Sequence, residues 1–296
     1  MRQVLCPEVV GRAAELQVLE AALADALEGK GGCVVVAGDA GIGKSRLVRE
    51  LSALAGGRGV PVVTGRAVPA SSSTPFRPLT EALLQLLRDR SLLQDPGLQP
   101  WLSHLAALLP GIVEAGASSL SDGLAGGEAA RGEAVLRLLR SLCPQGAVMA
   151  LEDMHWADPD TVSLLEYLAD NATGERLLLV VSLRGDPASP AVEMTRRQRG
   201  RAGVVQVTLT RLSEPEVAAM LDACGADLDA DARARVVRAS DGIPLLVEEL
   251  LASPGLPESI VDTVRARMTE LSDDDRAVLE AAAVMGRHFD WEILPA

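Results

Sequence analysis

The chain has 296 residues, 48% of them hydrophobic, enough to bury a substantial core and to hold more than one domain. Acidic residues outnumber basic ones 41 to 28, a net charge of −13 that repels phosphate backbones and argues against a nucleic-acid surface on this segment. The leading residues 1–8 lack the apolar core of a signal peptide and no run approaches a membrane span, so a cytoplasmic setting without membrane attachment is expected. Four cysteines, Cys6, Cys33, Cys143 and Cys224, are scattered without metal-ligand or redox spacing and read as small apolar fillers of a reduced compartment.

In chain order, Leu16, Leu19, Leu23 and Leu27 share one face of a helix predicted over 13–27. Cys33–Ala37 then reads as a buried strand and runs directly into Gly38-Asp39-Ala40-Gly41-Ile42-Gly43-Lys44-Ser45, which satisfies the phosphate-loop pattern G-x-x-x-x-G-K-[ST]. Helical spacing resumes from Arg46 to Leu51. Strand, glycine loop and helix in succession is the setting in which this pattern does its chemistry. The glycines let the backbone curl so that N–H groups face a β-phosphate, and the helix N-terminus adds partial positive charge. Lys44 can place an ammonium on the β- and γ-phosphates, and the Ser45 hydroxyl can ligate Mg²⁺. Lys30 and Lys44 are the only lysines among 28 basic residues, so a lysine in the loop is not incidental. These residues predict binding of a nucleoside triphosphate.

A second strand is predicted over 60–65 and a loop over 69–78. Helical spacing follows over 79–88, 101–109 and 128–142, with a Gly-, Ser- and Ala-rich stretch at 111–127 expected to be mobile. The apolar runs Ala147–Leu151 and Leu177–Leu183 flank a helix over 159–168, and Val204–Leu209 completes five strands. Strands alternating with helices imply a parallel sheet covered on both faces. From Ser213 onward the strands stop. Helices over 214–223, 231–239 and 245–251 suggest a small lid, a linker follows at 253–257, and further helices are predicted over 259–271 and 273–285. The chain ends soon after another apolar start, as expected of a piece of a longer protein.

A phosphate loop needs acids on a neighbouring strand, to hold Mg²⁺ and orient the attacking water. The strand over 147–151 supplies them by ending in Glu152-Asp153. Asp158 and Pro159 read as the cap and first residue of the next helix. His155 and Trp156 fit a packed loop tip better than a phosphate sensor. Arg184, at the end of the strand over 177–183, either reaches a γ-phosphate or lies solvated at a strand exit. The run Arg196-Arg197-Gln198-Arg199-Gly200-Arg201 reads as a solvated helix end rather than a nucleic-acid contact.

These motifs together resemble one family. Val10-Gly11-Arg12-Ala13-Ala14-Glu15-Leu16 is similar to the GRxxEL segment of STAND-type signalling ATPases, a branch of the AAA+ group, where it lies beside adenine. Leu151-Glu152-Asp153-Met154-His155-Trp156-Ala157-Asp158 is similar to their second nucleotide motif. Asp241-Gly242-Ile243-Pro244-Leu245 resembles their GxP lid motif, whose proline packs on the base. Leu256-Pro257-Glu258-Ser259-Ile260, with Arg265-Ala266-Arg267 and Ala281–Gly286, resembles the start of their winged-helix domain. The likeness is greatest to the ATPase part of large LuxR-family transcriptional regulators, although the same ATPase is also fused to nucleotidyl cyclases and kinases.

The resemblance implies an α/β P-loop NTPase with a five-stranded parallel sheet over 1–212, a helical lid over 213–253, and the truncated start of a winged-helix domain over 254–296. It implies ATP or ADP with Mg²⁺ as ligands. Val10, Gly11, Arg12, Gly38, Asp39, Ala40, Gly41, Ile42, Gly43, Lys44, Ser45, Arg46 and Pro244 would surround the nucleotide, with Ser45 and Glu152 on the metal. Lys44, Glu152, Asp153 and Arg184 would be catalytic, Asp153 as the base. The order Glu-then-Asp departs from the commoner Asp-then-Glu, setting the base one methylene further from the water and predicting slow turnover suited to a switch. ADP is expected to clamp lid and winged helix onto the core. ATP, with an unidentified inducer, is expected to favour an open form that self-associates, with DNA contacted only through a C-terminal domain outside this sequence. Competing readings are a small-molecule kinase and a non-hydrolysing binding module.

Overall fold

A computed structural model describes residues 6–69, 74–87, 95–106, 108–109, 127–185, 188–252, 268 and 271–285. Five strands, β1 (Gly32–Ala37), β2 (Val62–Arg66), β3 (Ala147–Glu152), β4 (Leu177–Leu183) and β5 (Val204–Thr208), form one sheet in the order β2-β3-β4-β1-β5. Every pairing is parallel. The apolar runs of β1, β3 and β4 have no polar alternation because both faces are covered, and these strands are buried almost throughout.

Parallel neighbours need crossovers, and helices supply them. After α1 (Ala13–Leu27), which precedes the sheet, the crossovers are α2 (Lys44–Gly57), α3 (Arg77–Leu87), the short α4 (Leu102–Leu105), α5 (Glu128–Leu142), α6 (Pro159–Asn171) and α7 (Pro190–Arg197). The period of two along β1 divides its side chains between two cores. Val34 and Val36 join Leu19, Leu23, Leu47 and Leu51 of α1 and α2 on one face. Cys33 and Val35 join Leu83, Leu136, Leu165 and Met194 of α3, α5, α6 and α7 on the other. Beyond the sheet come α8 (Glu214–Ala223), α9 (Ala230–Ser240), α10 (Pro244–Ala252) and α11 (Asp273–Met285). Helices α8 and α10 share a third, small core with Leu212 and Cys6. Among the described residues no helix is long and apolar enough to cross a membrane.

Several local expectations are met in detail. Asp158 caps α6 by accepting from the Thr161 N–H at 2.9 Å, with Pro159 as the first helical residue. His155 is buried within a short 3₁₀ turn, its ring 4.9 Å from that of Trp156.

Other expectations are corrected. The strand carrying the acids is not beside the strand of the phosphate loop, because β4 lies between β3 and β1. The helix expected over 101–109 shrinks to a 3₁₀ turn at Gln99–Trp101 and α4. Leu108 and Leu109 stay buried beyond it because both N–H groups turn back onto the Leu105 carbonyl, at 3.0 and 2.9 Å. The arginine run does close a helix, α7, which starts at Ser189-Pro190 and ends at Arg197, with exposed side chains as expected. Two of its charges are also paired: Arg197 donates to Glu166 and Arg201 to Asp170 of α6, each at 2.8 Å. The stretch at 111–126 and most of the helix expected over 259–271 lie outside the described residues, as do the segment 256–260 and Arg265–Arg267.

Candidate functional site

In a parallel sheet every strand ends on the same edge, and that edge is where an open α/β sheet receives ligands. Here the carboxyl ends of four strands deliver Gly38–Ser45 from β1, Arg66 from β2, Glu152 and Asp153 from β3, and Arg184 from β4. Adjacent strands are therefore unnecessary. The loop and the first turn of α2 reach past the end of β4, so that the Ser45 hydroxyl donates to Glu152 Oε2.

The loop takes its shape from residues that tolerate left-handed backbone. Gly41 and Gly43 have φ of +73° and +107°, where a side chain would be strained. Gly43 is the N-cap of α2 and offers no side-chain cap, which leaves the first N–H groups of that helix for an anion. Gly41 is also crowded: a Cβ there would sit 2.9 Å from Cβ of Leu245, whose own N–H donates to the Gly41 carbonyl at 3.2 Å. Lys44, only 7% exposed, donates from Nζ to the carbonyls of Gly38 at 2.8 Å and Asp39 at 2.7 Å. Burial, and then the like charge of Arg184, hold its pKa below that of an ordinary lysine, against the opposing pull of Asp153 and Asp39. Arg184 Nε is buried and finds no hydrogen-bond partner among the described residues.

Asp153 follows β3 in a left-handed conformation, φ 55°, with its N–H donated to Ser182 Oγ of β4 at 3.1 Å. That turn aims the carboxylate toward β2, where Arg66 Nε donates to Asp153 Oδ2 at 2.8 Å. Arg12 and Arg46, expected beside a nucleotide, both line the cavity and also donate hydrogen bonds to protein carbonyls. Arg12 is buried and donates to Thr210 O at 2.6 Å and Ile42 O at 3.3 Å, bracing the loop against the exit of β5. Arg46 donates to Cys6 O at 2.9 Å and Pro7 O at 2.8 Å, holding the N-terminal segment across the start of α2.

A cavity of about 280 Å³ opens among these groups. Its wall carries Ala40 to Arg46, together with Lys44's companions Arg66, Asp153 and Arg184, and the apolar side chains of Val10, Leu212, Met220, Pro244 and Leu245. Of the residues expected around a nucleotide, Gly11, Gly38 and Asp39 do not line it. Gly11 has φ +70°, and a Cβ there would lie 2.7 Å from Glu216 Oε1.

Residues 8–181, more than half of the chain, match the AAA ATPase domain family. The chain belongs to that family. Over 329 aligned residues this AAA ATPase domain is 27% identical to an uncharacterized protein of Rhizobium meliloti (strain 1021), a match covering 97% of this chain and 30% of that protein. Among solved structures it resembles a STAND protein with a tetratricopeptide repeat sensor from Pyrococcus horikoshii, with TM-score 0.50, 17% identity, and coverage of 97% of this chain and 37% of that one. It also resembles two Aeropyrum pernix proteins. The ADP form of ORC2 matches with TM-score 0.54 and 15% identity over 98% of this chain and 78% of that one. ORC1, solved in complex with DNA, matches with TM-score 0.53 and 19% identity over 97% and 75%. At such identities the likeness establishes the AAA+ P-loop fold. The chain spans about a third of the rhizobial and Pyrococcus proteins, at 30% and 37% of their lengths.

No group of three or more His, Cys, Asp or Glu side chains among the described residues converges as a metal cage. The donor set of the AAA ATPase domain suits Mg²⁺ nonetheless. Ser45 and Glu152 bring two hard oxygens together, and Mg²⁺ in nucleotide sites takes one or two protein oxygens with phosphates and water completing its shell. The sequence reading missed Arg66, Ser182 and the apolar wall from Leu212 and Met220. Only Arg66 carried a usable signal, as an arginine closing a strand in the same way as Arg184.

Proposed function

We propose that this AAA ATPase domain is an ATP-binding, slowly hydrolysing switch module of a signal-responsive, cytoplasmic transcriptional regulator of the LuxR family. The observation that carries the nucleotide part is the meeting of Lys44 and Arg184. Both cations line one cavity at the mouth of a glycine loop and an uncapped helix. Arg184 Nε is buried without a hydrogen-bond partner among the described residues, and the like charge of Arg184 adds to burial in lowering the Lys44 pKa. Repulsion of that kind is relieved by a polyanion bridging both groups.

In this reading Lys44 takes the β- and γ-phosphates, Arg184 the γ-phosphate, and the apolar wall with Pro244 takes the base. Ser45 and Glu152 would hold Mg²⁺, which supplies charge neutralisation on the phosphates when bound. Asp153 orients water for attack on the γ-phosphorus and accepts its proton as ADP leaves. Arg66 already occupies its Oδ2 and competes with that role, which supports slow turnover. The regulatory part rests on the AAA+ fold shared with a STAND protein that carries a separate sensor, and on relatives long enough to hold sensing and output domains. The divisions 1–212, 213–253 and 254–296 belong to the same proposal, as do lid closure with ADP and self-association with ATP. DNA contact by this segment is disfavoured by its charge of −13.

Calorimetry with ATP and ADP in Mg²⁺, and phosphate release by wild type, Lys44→Ala and Asp153→Asn, test the reading. Binding of both nucleotides is expected in the wild type, loss of both in Lys44→Ala, and binding without turnover in Asp153→Asn. A folded wild type that binds neither nucleotide would overturn it.

A further inference from the structure

Two of the four cysteines, far apart in sequence, meet beside the cavity. Cys6 lies in the N-terminal segment and Cys224 caps α8, and both belong to the small core those elements share. Cys6 Sγ is 4.0 Å from the carbonyl oxygen of Met220, and the Cys224 N–H donates to that same oxygen at 2.9 Å. The Met220 carbonyl thus has the Cys6 sulfur on one side and the Cys224 main chain on the other, and burial, with the neighbouring Cys6 thiol as a smaller cause, pushes the Cys224 thiol up to about 12. Cys6 is buried and Cys224 partly open, while Cys33 and Cys143 are buried in the large core across the sheet. All four are free thiols packed in apolar cores, and this pair, though distant in sequence, shares one of those cores.

The pair joins two walls of one cavity. Cys6, Glu8 and Val10 contribute the N-terminal wall, and Met220 and Glu248 the wall from α8 and α10. The Cys6 N–H already donates to Glu248 Oε1 at 3.4 Å, a weak tie between the same two walls. We propose that Cys6 and Cys224 are a thiol–disulfide modification site whose oxidation fastens the N-terminal segment to α8 and retains the bound nucleotide. The inference rests on the nucleotide reading above for its consequence, though not for the bond itself.

With hydrogen peroxide as the oxidant the step balances. The Cys224 thiolate, the more accessible sulfur, attacks a peroxide oxygen to give a sulfenic acid, and the departing hydroxide takes a proton to form water. The Cys6 thiolate then displaces hydroxide from that sulfur, closing the S–S bond and yielding a second water. Two thiols lose two electrons and two protons, which reduce one peroxide. A dithiol reverses the bond by exchange. The high pKa of Cys224 keeps the pair inert at neutral pH until the wall loosens, so oxidation samples the open form.

The full chain, treated with hydrogen peroxide and mapped by mass spectrometry, should yield a Cys6–Cys224 peptide two hydrogens lighter than its parts. Cys6→Ala and Cys224→Ala should lack it. Release of the fluorescent probe N-methylanthraniloyl-ADP should slow by about tenfold or more in the oxidised wild type, such changes residing mainly in off-rates, and recover with dithiothreitol. Absence of that peptide, cross-links confined to Cys33 or Cys143, or unchanged probe release from oxidised protein would each overturn the proposal. If reduced protein bound no probe, the nucleotide reading and the latch would fall together, while the cross-linked peptide would still decide the pairing.

Discussion

Arg184→Ala separates recognition of the γ-phosphate from recognition of nucleotide in general. The wild-type side chain places an unpartnered Nε against the cavity and exerts a like-charge effect on Lys44. A hydrogen bond to a charged group contributes about 1.5–3 kcal/mol, so loss of one made only to the γ-phosphate should weaken ATP by about 10- to 150-fold. ADP lacks that group, and Lys44, freed of a neighbouring cation, is held in its charged form more readily. Its affinity should therefore stay level or rise. Calorimetric titration with Mg²⁺-ADP and with a non-hydrolysable Mg²⁺-ATP analogue reads both quantities, and thermal unfolding of the free variant verifies the fold. A parallel fall for the two nucleotides would refute the reasoning, because Arg184 would then act on the loop rather than on the third phosphate.

Three further outcomes follow from the same geometry. Lys44 has a pKa below the ordinary 10.5, and a bound polyphosphate favours its charged form, so its pKa is higher in the complex than in the free protein. ADP affinity should then be level near neutrality and fall as pH rises through the free-state value, earlier than an ordinary lysine would dictate. A titration flat to strongly alkaline pH would contradict this. Arg66→Ala should raise the phosphate-release rate by freeing Asp153, whereas Asp153→Asn should lower it by about 10²- to 10⁴-fold, the usual worth of a general base; slowing in both would place Arg66 in a different role. Gly65→Ala should destabilise the fold by about 3 kcal/mol or more, read as a lower urea midpoint, because its Cβ would lie 1.7 Å from the backbone oxygen of Pro78.

What could be read in advance was whatever the chain writes in consecutive residues. Gly38–Ser45 spells its own turn, helix start and ammonium, and β1, β3 and β4 announce burial by lacking polar alternation. Strand order is written nowhere locally, so the insertion of β4 between β1 and β3 had no periodic signature. Arg66 occupies an outward position on β2, and its only sequence signal, an arginine closing a strand, does not name a partner until the register sets it opposite Glu152. Cys6 and Cys224 are likewise brought together only by the packing of α8 on the N-terminal segment. The helix at Pro190–Arg197 was legible in principle. Ser189-Pro190 carries the same start signal as Asp158-Pro159, and the arginine run marks its other end.

Several residues of the phosphate loop and the start of α2 are tied to other elements, and this bears on how a small ligand could move a helix. The Gly41 carbonyl accepts from Leu245 of α10, Ile42 O from Arg12, and Arg46 grips Cys6 and Pro7. Ser45 donates to Glu152, and Lys44 closes the loop on its own carbonyls. An arriving polyphosphate competes for Lys44 against Gly38 and Asp39, and Mg²⁺ competes for Ser45 against Glu152. A loop that adjusts to either change adjusts beneath Leu245, and Gly41 leaves no space there for even a methyl group to absorb the shift. Coupling free energies between sites are typically about 1–3 kcal/mol, no more than one or two hydrogen bonds contribute. The proposed switch therefore needs no pathway through the sheet. The direct contact from Gly41 to Leu245 would be sufficient for α10 to respond to what the loop holds.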